Sequence, residues 1–329
     1  MSLPLQHTEP AGTSNPDLVA TGSGGIFAPL DHLGVLQFSG EDAGAFLQAQ
    51  LSCDVAGVSL RSSTWGAYCS PKGRMLANFL LWREEAGFFM ALSRDILPAV
   101  QKYISKFVLR SKVKVSDASD AVVLAGAAGA QADRALRGVF SDFPATPNEV
   151  CRAPGTGTVV RLEDGRFVLA LAASAAPALL RRLEGSLRPA DARVWRWLDI
   201  RQGLPLVTAP TQDKLIPQMA NLELIGGVNF DKGCYPGQEV VARTQHLGKV
   251  KRRMFLANVA AAAQAGDALY SDDLGDQASG MVVNAEASPD GGYDLLAVVQ
   301  TASREVSTVH LKALGGPVLR FLALPYAIA

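Results

Sequence analysis

One short segment of the sequence combines residues that could do chemistry. Residues 232–239 read KGCYPGQE, so a lysine and a glycine precede Cys234 and a Pro-Gly turn follows it. Proline presets φ and glycine accepts positive φ, so residues 235–238 suit a turn, and Pro236 could also begin a helix. Unpaired N–H groups at a helix start and the Lys232 cation both favour thiolate over thiol. The segment therefore predicts an activated cysteine in a loop, with a small buried cysteine as the alternative that local chemistry leaves open.

The remaining cysteines give no sign of a metal or redox centre. Cys53, Cys69 and Cys151 are far from Cys234 and from one another in sequence, and the chain contains no CxxC pair. Metal sites usually draw at least two ligands from one short segment, and thioredoxin-like redox sites use two cysteines of a CxxC pair. We therefore expect four free thiols and no metal site.

Two stretches of the chain follow one scheme of strand, turn, strand and helix. Residues 79–93 contain two apolar runs around a turn with Gly87, and residues 159–172 repeat the scheme around an Asp-Gly turn, which is a hairpin signal. After the first hairpin, apolar residues recur at helical spacing at Ile96, Val100, Tyr103 and Phe107. Two such units predict an α+β protein of antiparallel-sheet lobes with helices, rather than a doubly wound parallel sheet.

Composition and pattern divide the chain into three parts. With 329 residues, 48% of them hydrophobic, the chain is longer than most single domains, so two or three lobes are expected. Residues 1–25 are rich in Pro, Gly, Ser and Thr, which predicts a mobile tail. Residues 26–245 hold both hairpin–helix units and are expected to form two interleaved α+β lobes. Residues 246–329 contain short strands separated by Gly and Asp turns, which predicts a C-terminal all-β barrel.

The distribution of charge bears on location and partners. No Lys or Arg precedes Arg61, so the cationic region of a secretory signal and the arginines of a mitochondrial transit peptide are missing. We therefore expect a cytoplasmic protein. No stretch approaches the roughly 20 apolar residues of a membrane span, so no membrane partner is expected. Lys+Arg and Asp+Glu both number 31, so no global field attracts nucleic acid or anionic lipid.

Three longer segments carry a family resemblance. The strings NFDKGCYPGQEVVAR, GAYCSPKGRMLANFLLW and LDIRQGLP resemble the YgfZ family of folate-binding proteins. Members of that family are similar in fold to the aminomethyltransferase T-protein of the glycine cleavage system. They are linked to iron–sulfur cluster assembly or repair and to tRNA modification by iron–sulfur enzymes. The resemblance implies three lobes around a central hole in which tetrahydrofolate can lie.

The resemblance also assigns roles to particular residues. By position, Cys234 is the motif cysteine and the functional thiol, and its companions in the motif are Lys232, Gly233, Tyr235, Gly237, Gln238 and Glu239. Trp195 falls where bacterial members use a tryptophan to pack against folate, and a flat apolar ring suits a pterin. A core aromatic is the alternative for Trp195, and Trp197 on the same segment would then face the hole.

Other positions depart from the aminomethyltransferase pattern. The aspartate that assists chemistry at the folate is replaced by Ala77-Asn78, and neither residue can act as a base. The glutamate that hydrogen-bonds the pterin is replaced by Arg201, which could instead pair with the glutamyl carboxylate of folate. Leu33 lies where some members have a second tryptophan. We therefore expect folate contacts from Trp195, Leu33, Arg201 and Asn78, without glycine-cleavage chemistry.

These features predict a tetrahydrofolate-binding accessory protein of iron–sulfur metabolism, not a conventional enzyme. Iron–sulfur proteins or cluster-assembly factors are its expected transient partners. A folate-dependent one-carbon (aminomethyl) transferase is the first alternative, and a carboxylate near folate N5 would identify it. A tRNA-binding module is the second alternative and would require a continuous basic face.

One cluster of cations bears on that second alternative. It contains no acidic residue and comprises Arg243, Lys249, Lys251, Arg252 and Arg253. The cluster could meet RNA phosphates or the polyglutamate tail of cellular folates. A solvated strand edge guarded by cations is the simpler interpretation, so tRNA is not the favoured partner.

Overall fold

The computed structural model describes residues 24–140, 142–247 and 250–328, so most of the predicted tail lies outside the described residues. The strands, in chain order, are β1 (Ile26–Pro29), β2 (Leu33–Ser39), β3 (Ser63–Cys69), β4 (Met75–Glu84), β5 (Gly87–Ser93), β6 (Lys114–Asp117), β7 (Val122–Ala128), β8 (Val150–Ala153), β9 (Gly157–Arg161), β10 (Phe167–Ala172), β11 (Arg188–Pro189), β12 (Arg252–Val259), β13 (Ala268–Ser271), β14 (Ala278–Ala287), β15 (Tyr293–Gln300), β16 (Val309–Leu311) and β17 (Arg320–Leu322). The α-helices are α1 (Ala43–Gln48), α2 (Leu97–Ser105), α3 (Ala132–Arg137), α4 (Ala176–Leu183), α5 (Ala192–Arg201), α6 (Gln238–Leu247) and α7 (Thr301–Val306).

These strands form three sheets. The first sheet has the order β3-β4-β5-β2-β6, the second β11-β1-β7-β10-β9-β8, and the third β16-β13-β14-β15-β12-β17. The pairing within them is antiparallel, apart from the short parallel contact between β1 and β11. The predicted α+β class with antiparallel sheets is therefore confirmed.

Both predicted hairpins are present, and each leads into a helix. In the first, β4 pairs with β5 and Gly87 closes the turn with φ +124°. Its neighbour β2 passes so close that a Cβ on Gly87 would lie 2.2 Å from the Phe38 carbonyl oxygen, so glycine is required here. In the second, β9 pairs with β10 around a 3-10 turn at Glu163–Gly165. Helices α2 and α4 follow these hairpins, but α2 ends at Ser105, so Phe107 lies beyond the helix that the apolar spacing predicts and is exposed.

The third sheet curls until its two edges meet. Leu319 in the approach to β17 donates its N–H to the Val309 carbonyl on β16 (2.9 Å), and Leu311 donates to the Pro317 carbonyl (2.8 Å). These bonds connect β16 with residues 317–319, immediately before β17, and give the C-terminal sheet its curled, barrel-like form. The six-residue helix α7, between β15 and β16, interrupts the otherwise all-β lobe.

The first and second sheets share a core that is completed by α5. Large buried side chains from both sheets, including Ile26, Trp82, Phe89 and Val160, surround Trp195 of this helix. Trp195 is 2% exposed, and its ring lies directly over the backbone of Gly126 on β7. A glycine is needed under the ring because a Cβ at residue 126 would lie 2.2 Å from the Trp195 Cε3 atom.

We expect Gly126→Ala to lower the free energy of unfolding by about 1–3 kcal/mol, the usual cost of overpacking a filled core. Gly44→Ala is the matched control, because its Cβ would lie 3.5 Å from the Phe88 ring, an ordinary contact, within helix α1. That control should leave stability unchanged or slightly raised. Urea unfolding of both variants measures the difference; equal stabilities would show that Trp195 moves aside freely.

Candidate functional site

The loop that carries Cys234 is fastened to the end of helix α1. The ammonium of Lys232 donates hydrogen bonds to the carbonyl oxygens of Gln48 and Leu51 and lies 5.0 Å from the centroid of the Tyr235 ring. The side chain of Asn229 accepts two hydrogen bonds from backbone N–H groups of the loop, at 2.8 and 3.0 Å. Burial lowers the pKa of the Lys232 ammonium. The structure therefore shows Lys232 anchoring the loop.

The Pro-Gly turn forms as predicted, while the helix begins later than Pro236. Gln238 donates its N–H to the Tyr235 carbonyl (3.1 Å) and Gly237 has φ +81°, the geometry of a type II turn. Helix α6 then starts at Gln238. The turn and the helix start cannot coincide, because a residue with positive φ interrupts the helical backbone between them.

Gly237 interlocks with a second glycine turn. Residues 70–73 form a turn in which Gly73 donates to the Ser70 carbonyl (2.8 Å), and Gly73 has φ +71°. A Cβ on Gly237 would lie 2.5 Å from the Ser70 oxygen, and a Cβ on Gly73 would lie 2.8 Å from the Val240 side chain on α6. The two turns therefore approach backbone to backbone, which only glycine permits.

Cys234 is the accessible thiol of the chain. It is exposed, whereas Cys53, Cys69 and Cys151 are buried. Burial raises the pKa of the Cys53 and Cys69 thiols to about 12 and also raises the pKa of Cys151. Cys234 lies four residues before the first residue of α6. The helix macrodipole falls off within the first turn, so accessibility distinguishes this cysteine more clearly than the helix does. Of the other motif residues, Glu239 is exposed and Gln238 is half-buried.

A central passage lies between the three sheets, away from the cysteine loop. Its large chamber has a volume of about 620 Å³, and its lining includes His32, Arg94, Asp95, Arg196, Asp199 and Asn284. A narrow neck of about 40 Å³ follows, lined among others by Leu33, Trp65, Asn78, Trp195, Asp199 and Leu204. A small chamber of about 310 Å³ continues from it past Trp65, Leu162, Arg166, Leu204 and Tyr326. The shared lining residues show that the three spaces adjoin.

The predicted folate contacts are only partly brought together. Trp195, Leu33 and Asn78 line the neck. Arg201 does not line the described cavities; its guanidinium lies 3.5 Å from the Asp294 carboxylate and over the Trp197 ring. The expected contact of Arg201 is therefore replaced by an ion pair with the third sheet, because α5 turns this position away from the passage.

Asn78 holds the wall of the passage in place. Its side-chain oxygen accepts from the Val207 N–H (2.7 Å) and its amide donates to the Pro205 carbonyl (2.6 Å). Both ends of the amide are thus engaged with the backbone of residues 205–207. Asn78 is 1% exposed, so its polar groups are committed to this contact.

Trp195 offers little ring surface to a ligand. Besides its contact with Gly126, it lies under the Arg166 guanidinium, 5.2 Å from the ring centroid. The half-buried Trp65 lines both the neck and the small chamber and is the more accessible aromatic. The family resemblance did not indicate Trp65. Because successive side chains of a strand point to opposite faces, the sequence of β3 could have placed Trp65 on the inner face.

A buried ion pair lies at the centre of the passage. Arg166 is 2% exposed and donates from Nη1 to Oδ1 of Asp199 (2.5 Å). Burial raises the pKa of the Asp199 carboxyl, and the Arg166 guanidinium opposes that rise. Both residues were missed from the sequence. A single acid within the apolar part of the LDIRQGLP segment was the available signal.

His32 lines the large chamber without a hydrogen-bond partner among the described residues. Both of its ring nitrogens are buried. Burial and the nearby Arg196 guanidinium lower the pKa of His32 to about 4, so the imidazole is neutral near pH 7.

In the part of the chain that the structure describes, no group of three or more His, Cys, Asp or Glu side chains could hold a metal ion. None of the helices described is long and apolar enough to cross a membrane.

The cation cluster near β12 does not form one face. Arg253 is 8% exposed, pairs with Glu223 and donates to the Gln218 carbonyl (2.9 Å). Arg252, its neighbour on the strand, points to the opposite side, and Lys249 lies outside the described residues. The described members of the cluster are therefore divided between core and surface.

The two glycines of the motif should respond differently to alanine. Gly237→Ala places a side chain at φ +81° and 2.5 Å from a backbone oxygen, so we expect it to cost at least about 1–2 kcal/mol and to disturb the loop. Gly233→Ala is the matched control, because no atom lies within 4 Å of its Cβ position. Thermal unfolding of both variants checks this. A stable Gly237→Ala protein would contradict the interlocked-turn interpretation.

Comparison with known proteins places the chain in a family. No protein-family model matches it. The structure of the glycine cleavage system aminomethyltransferase T from Bartonella henselae has the same fold, with a TM-score of 0.77 over 94% of this chain and 88% of that chain, at 19% sequence identity. The chain is 31% identical over 303 residues to the tRNA-modifying protein YgfZ of Sodalis glossinidius (strain morsitans), covering 91% of this chain and 92% of that protein. An alignment of this extent shows that the chain belongs to the YgfZ family.

Proposed function

We propose that the protein binds tetrahydrofolate in the central passage and acts as an accessory protein in iron–sulfur cluster assembly or repair. In that role it supports tRNA modification by iron–sulfur enzymes in the cytoplasm. The observation that carries the proposal is the passage itself, which is built from all three sheets and lined by aromatic and charged side chains. Two findings support it: the Sodalis relative is named a tRNA-modifying protein, and the fold is that of an aminomethyltransferase.

The residues of the passage fit a folate. Small-molecule sites are typically apolar clefts of about 300–1,000 Å³ with a few polar groups that fix orientation. The large chamber, of about 620 Å³, falls in this range. Asp199 supplies a carboxylate at the junction of this chamber and the neck, while Trp65 and Arg166 line the adjoining small chamber and supply an aromatic wall and a cation there. When bound, tetrahydrofolate would supply a carrier for one-carbon units.

We assign the functional thiol to Cys234, on the surface of the molecule. The motif residues Lys232, Tyr235 and Gly237 hold the loop, and Cys234 extends from it into solvent. An exposed thiol on a fixed loop suits transient contact with an iron–sulfur protein or a cluster-assembly factor. The thiol and the passage are separate features, so each can be tested by itself.

The alternative functions have less support. A one-carbon transferase of the T-protein type needs a base at Ala77-Asn78, and the Asn78 amide is engaged at both ends. The carboxylate present in the neck is Asp199, which is paired with Arg166. A tRNA-binding module needs a continuous basic face, and the burial of Arg253 breaks the one that the sequence suggested. The accessory role therefore remains the proposal.

Added tetrahydrofolate should raise the melting temperature and quench tryptophan fluorescence. A ligand at 100 times its Kd stabilises the native state by about 2.7 kcal/mol. Trp65→Phe should remove most of the quenching because Trp65 lines the passage. Trp197→Phe is the control, since Trp197 bonds to Asp294 on the third sheet (2.9 Å) and does not line the described cavities. If calorimetry detects no heat of binding and the melting temperature is unchanged at high tetrahydrofolate concentration, the folate site is ruled out.

Iodoacetamide should label Cys234 first in the native protein near neutral pH. The other three thiols are buried and have raised pKa values, so their thiolate populations are small and they are shielded. Peptide mapping after a short exposure identifies the labelled site. Preferential labelling of Cys53, Cys69 or Cys151 would contradict the exposed-loop interpretation.

Cys234→Ser should abolish function in cells while the protein stays folded, because serine fits an exposed loop without loss of core volume. The measurement compares iron–sulfur enzyme activities in cells that carry the wild-type chain, the variant, or neither. Asp231→Asn, an exposed change in the same loop, is the control and should complement fully. Full complementation by Cys234→Ser would show that the thiol has no functional role.

A further inference from the structure

The Asp199 carboxylate lies where two parts of the passage meet. It lines both the large chamber and the neck. Arg166 binds its Oδ1 atom, yet 26% of the Asp199 side chain remains exposed, while the Arg166 side chain is 3% exposed. Arg166 lines the small chamber but neither the neck nor the large chamber, so the acid is the charged group of this pair that a ligand reaching from the large chamber into the neck would meet.

The other acids along the passage are less suited to meet a ligand. Asp95 in the large chamber accepts hydrogen bonds from the Ser93 hydroxyl (2.7 Å) and the Ala209 N–H (2.8 Å), one on each carboxylate oxygen. Glu163 is exposed and lines only the small chamber. Asp199 is thus the described acid that lines the neck.

An ionised carboxylate is an acceptor only, so it recognises ligands that present N–H donors. The pterin ring of a folate carries two adjacent donors on one edge, the N3–H and the 2-amino group. A carboxylate can accept both in its own plane, and charge-assisted pairs of this kind are stronger than neutral hydrogen bonds. Leu33, Leu204 and Leu206 line the neck together with Asp199, and this apolar surface strengthens such bonds by lowering the local dielectric.

We propose that Asp199 determines the specificity of the folate site by accepting hydrogen bonds from the N3–H and 2-amino groups of the pterin. Arg166 is its positioning residue: it fixes the carboxylate and favours its ionised form. The inference rests on the proposed function. It assigns to Asp199, two residues earlier on α5, the carboxylate role that is missing where Arg201 replaces a glutamate.

The test measures binding of two ligands by fluorescence titration and calorimetry: tetrahydrofolate and its 2-desamino-2-methyl analogue, which lacks the amino donor. We expect the wild-type protein to prefer tetrahydrofolate by tenfold or more. In Asp199→Asn, one acceptor becomes a donor that opposes the ligand, so tetrahydrofolate should bind about 10- to 100-fold more weakly. The affinity of the variant for the analogue should fall much less, so the preference for tetrahydrofolate over the analogue should disappear.

Two controls separate recognition from general damage. Asp120→Asn removes an exposed acid from the turn between β6 and β7, and Arg201→Ala removes the cation that faces the third sheet; both should keep affinity and preference within twofold. Arg166→Lys should reduce the preference without abolishing it, because a point charge holds the carboxylate less rigidly. If the role of Arg166 were merely structural, Arg166→Lys would lower the affinity for both ligands equally.

Asp199→Asn leaves the buried Arg166 unpaired and could prevent folding. In that case the double variant Arg166→Met/Asp199→Leu, which leaves no buried charge, should fold and show the same loss of preference. Wild-type protein that binds neither ligand would refute the folate site itself. Wild-type protein that binds both equally, or a folded Asp199 variant that retains the preference, would overturn the role of Asp199 and leave the folate site intact.

Discussion

The burial of helix α5 between the sheets is the constraint on which the rest of the structure depends. Trp195 anchors one face of the helix over Gly126 in the second sheet. On the side of the third sheet, Arg196 pairs with Glu286 at 2.8 Å, and Trp197 donates to an aspartate of β15. One short helix therefore contacts two lobes, and it shares a core with the first sheet. The passage is the space that remains around it, so any shift of α5 would reshape the passage.

Two buried arginines, Arg166 and Arg253, are each paired with a carboxylate, and these pairs define local geometry. Arg166 with Asp199 fixes the neck, and Arg253 with Glu223 ties β12 to the segment before it. A buried pair costs desolvation on both sides and is weak evidence for stability. Each pair instead fixes the position of its two side chains, because the arginine binds one particular carboxylate. The same burial removes Arg253 from the basic surface that the sequence suggested, which weakens the case for a nucleic-acid interface.

The cysteine motif is mostly architecture. Lys232 binds carbonyl oxygens at the end of α1, and Gly237 allows two turns to interlock. Tyr235 is 6% exposed and lies beneath the loop. Among the motif residues, Gly233, Cys234 and Glu239 face solvent. The contacts of Lys232, Tyr235 and Gly237 hold the Cys234 thiol at a fixed place on the surface.

The sequence by itself determined the elements, while it left open whether Cys234 is exposed or buried. Both hairpins, the helices after them, the Pro-Gly turn and the C-terminal strands follow from apolar period and turn chemistry, which act between near neighbours in the chain. Only the tertiary structure decided which side chains meet in the passage. Trp65 comes from β3, Arg166 from the residue that precedes β10 in the second sheet, and Asp199 from helix α5 between the sheets, so no local spacing relates them. Arg201 and Asp199 are two residues apart, yet the helical turn of roughly 200° between such positions sends one toward the third sheet and the other into the passage.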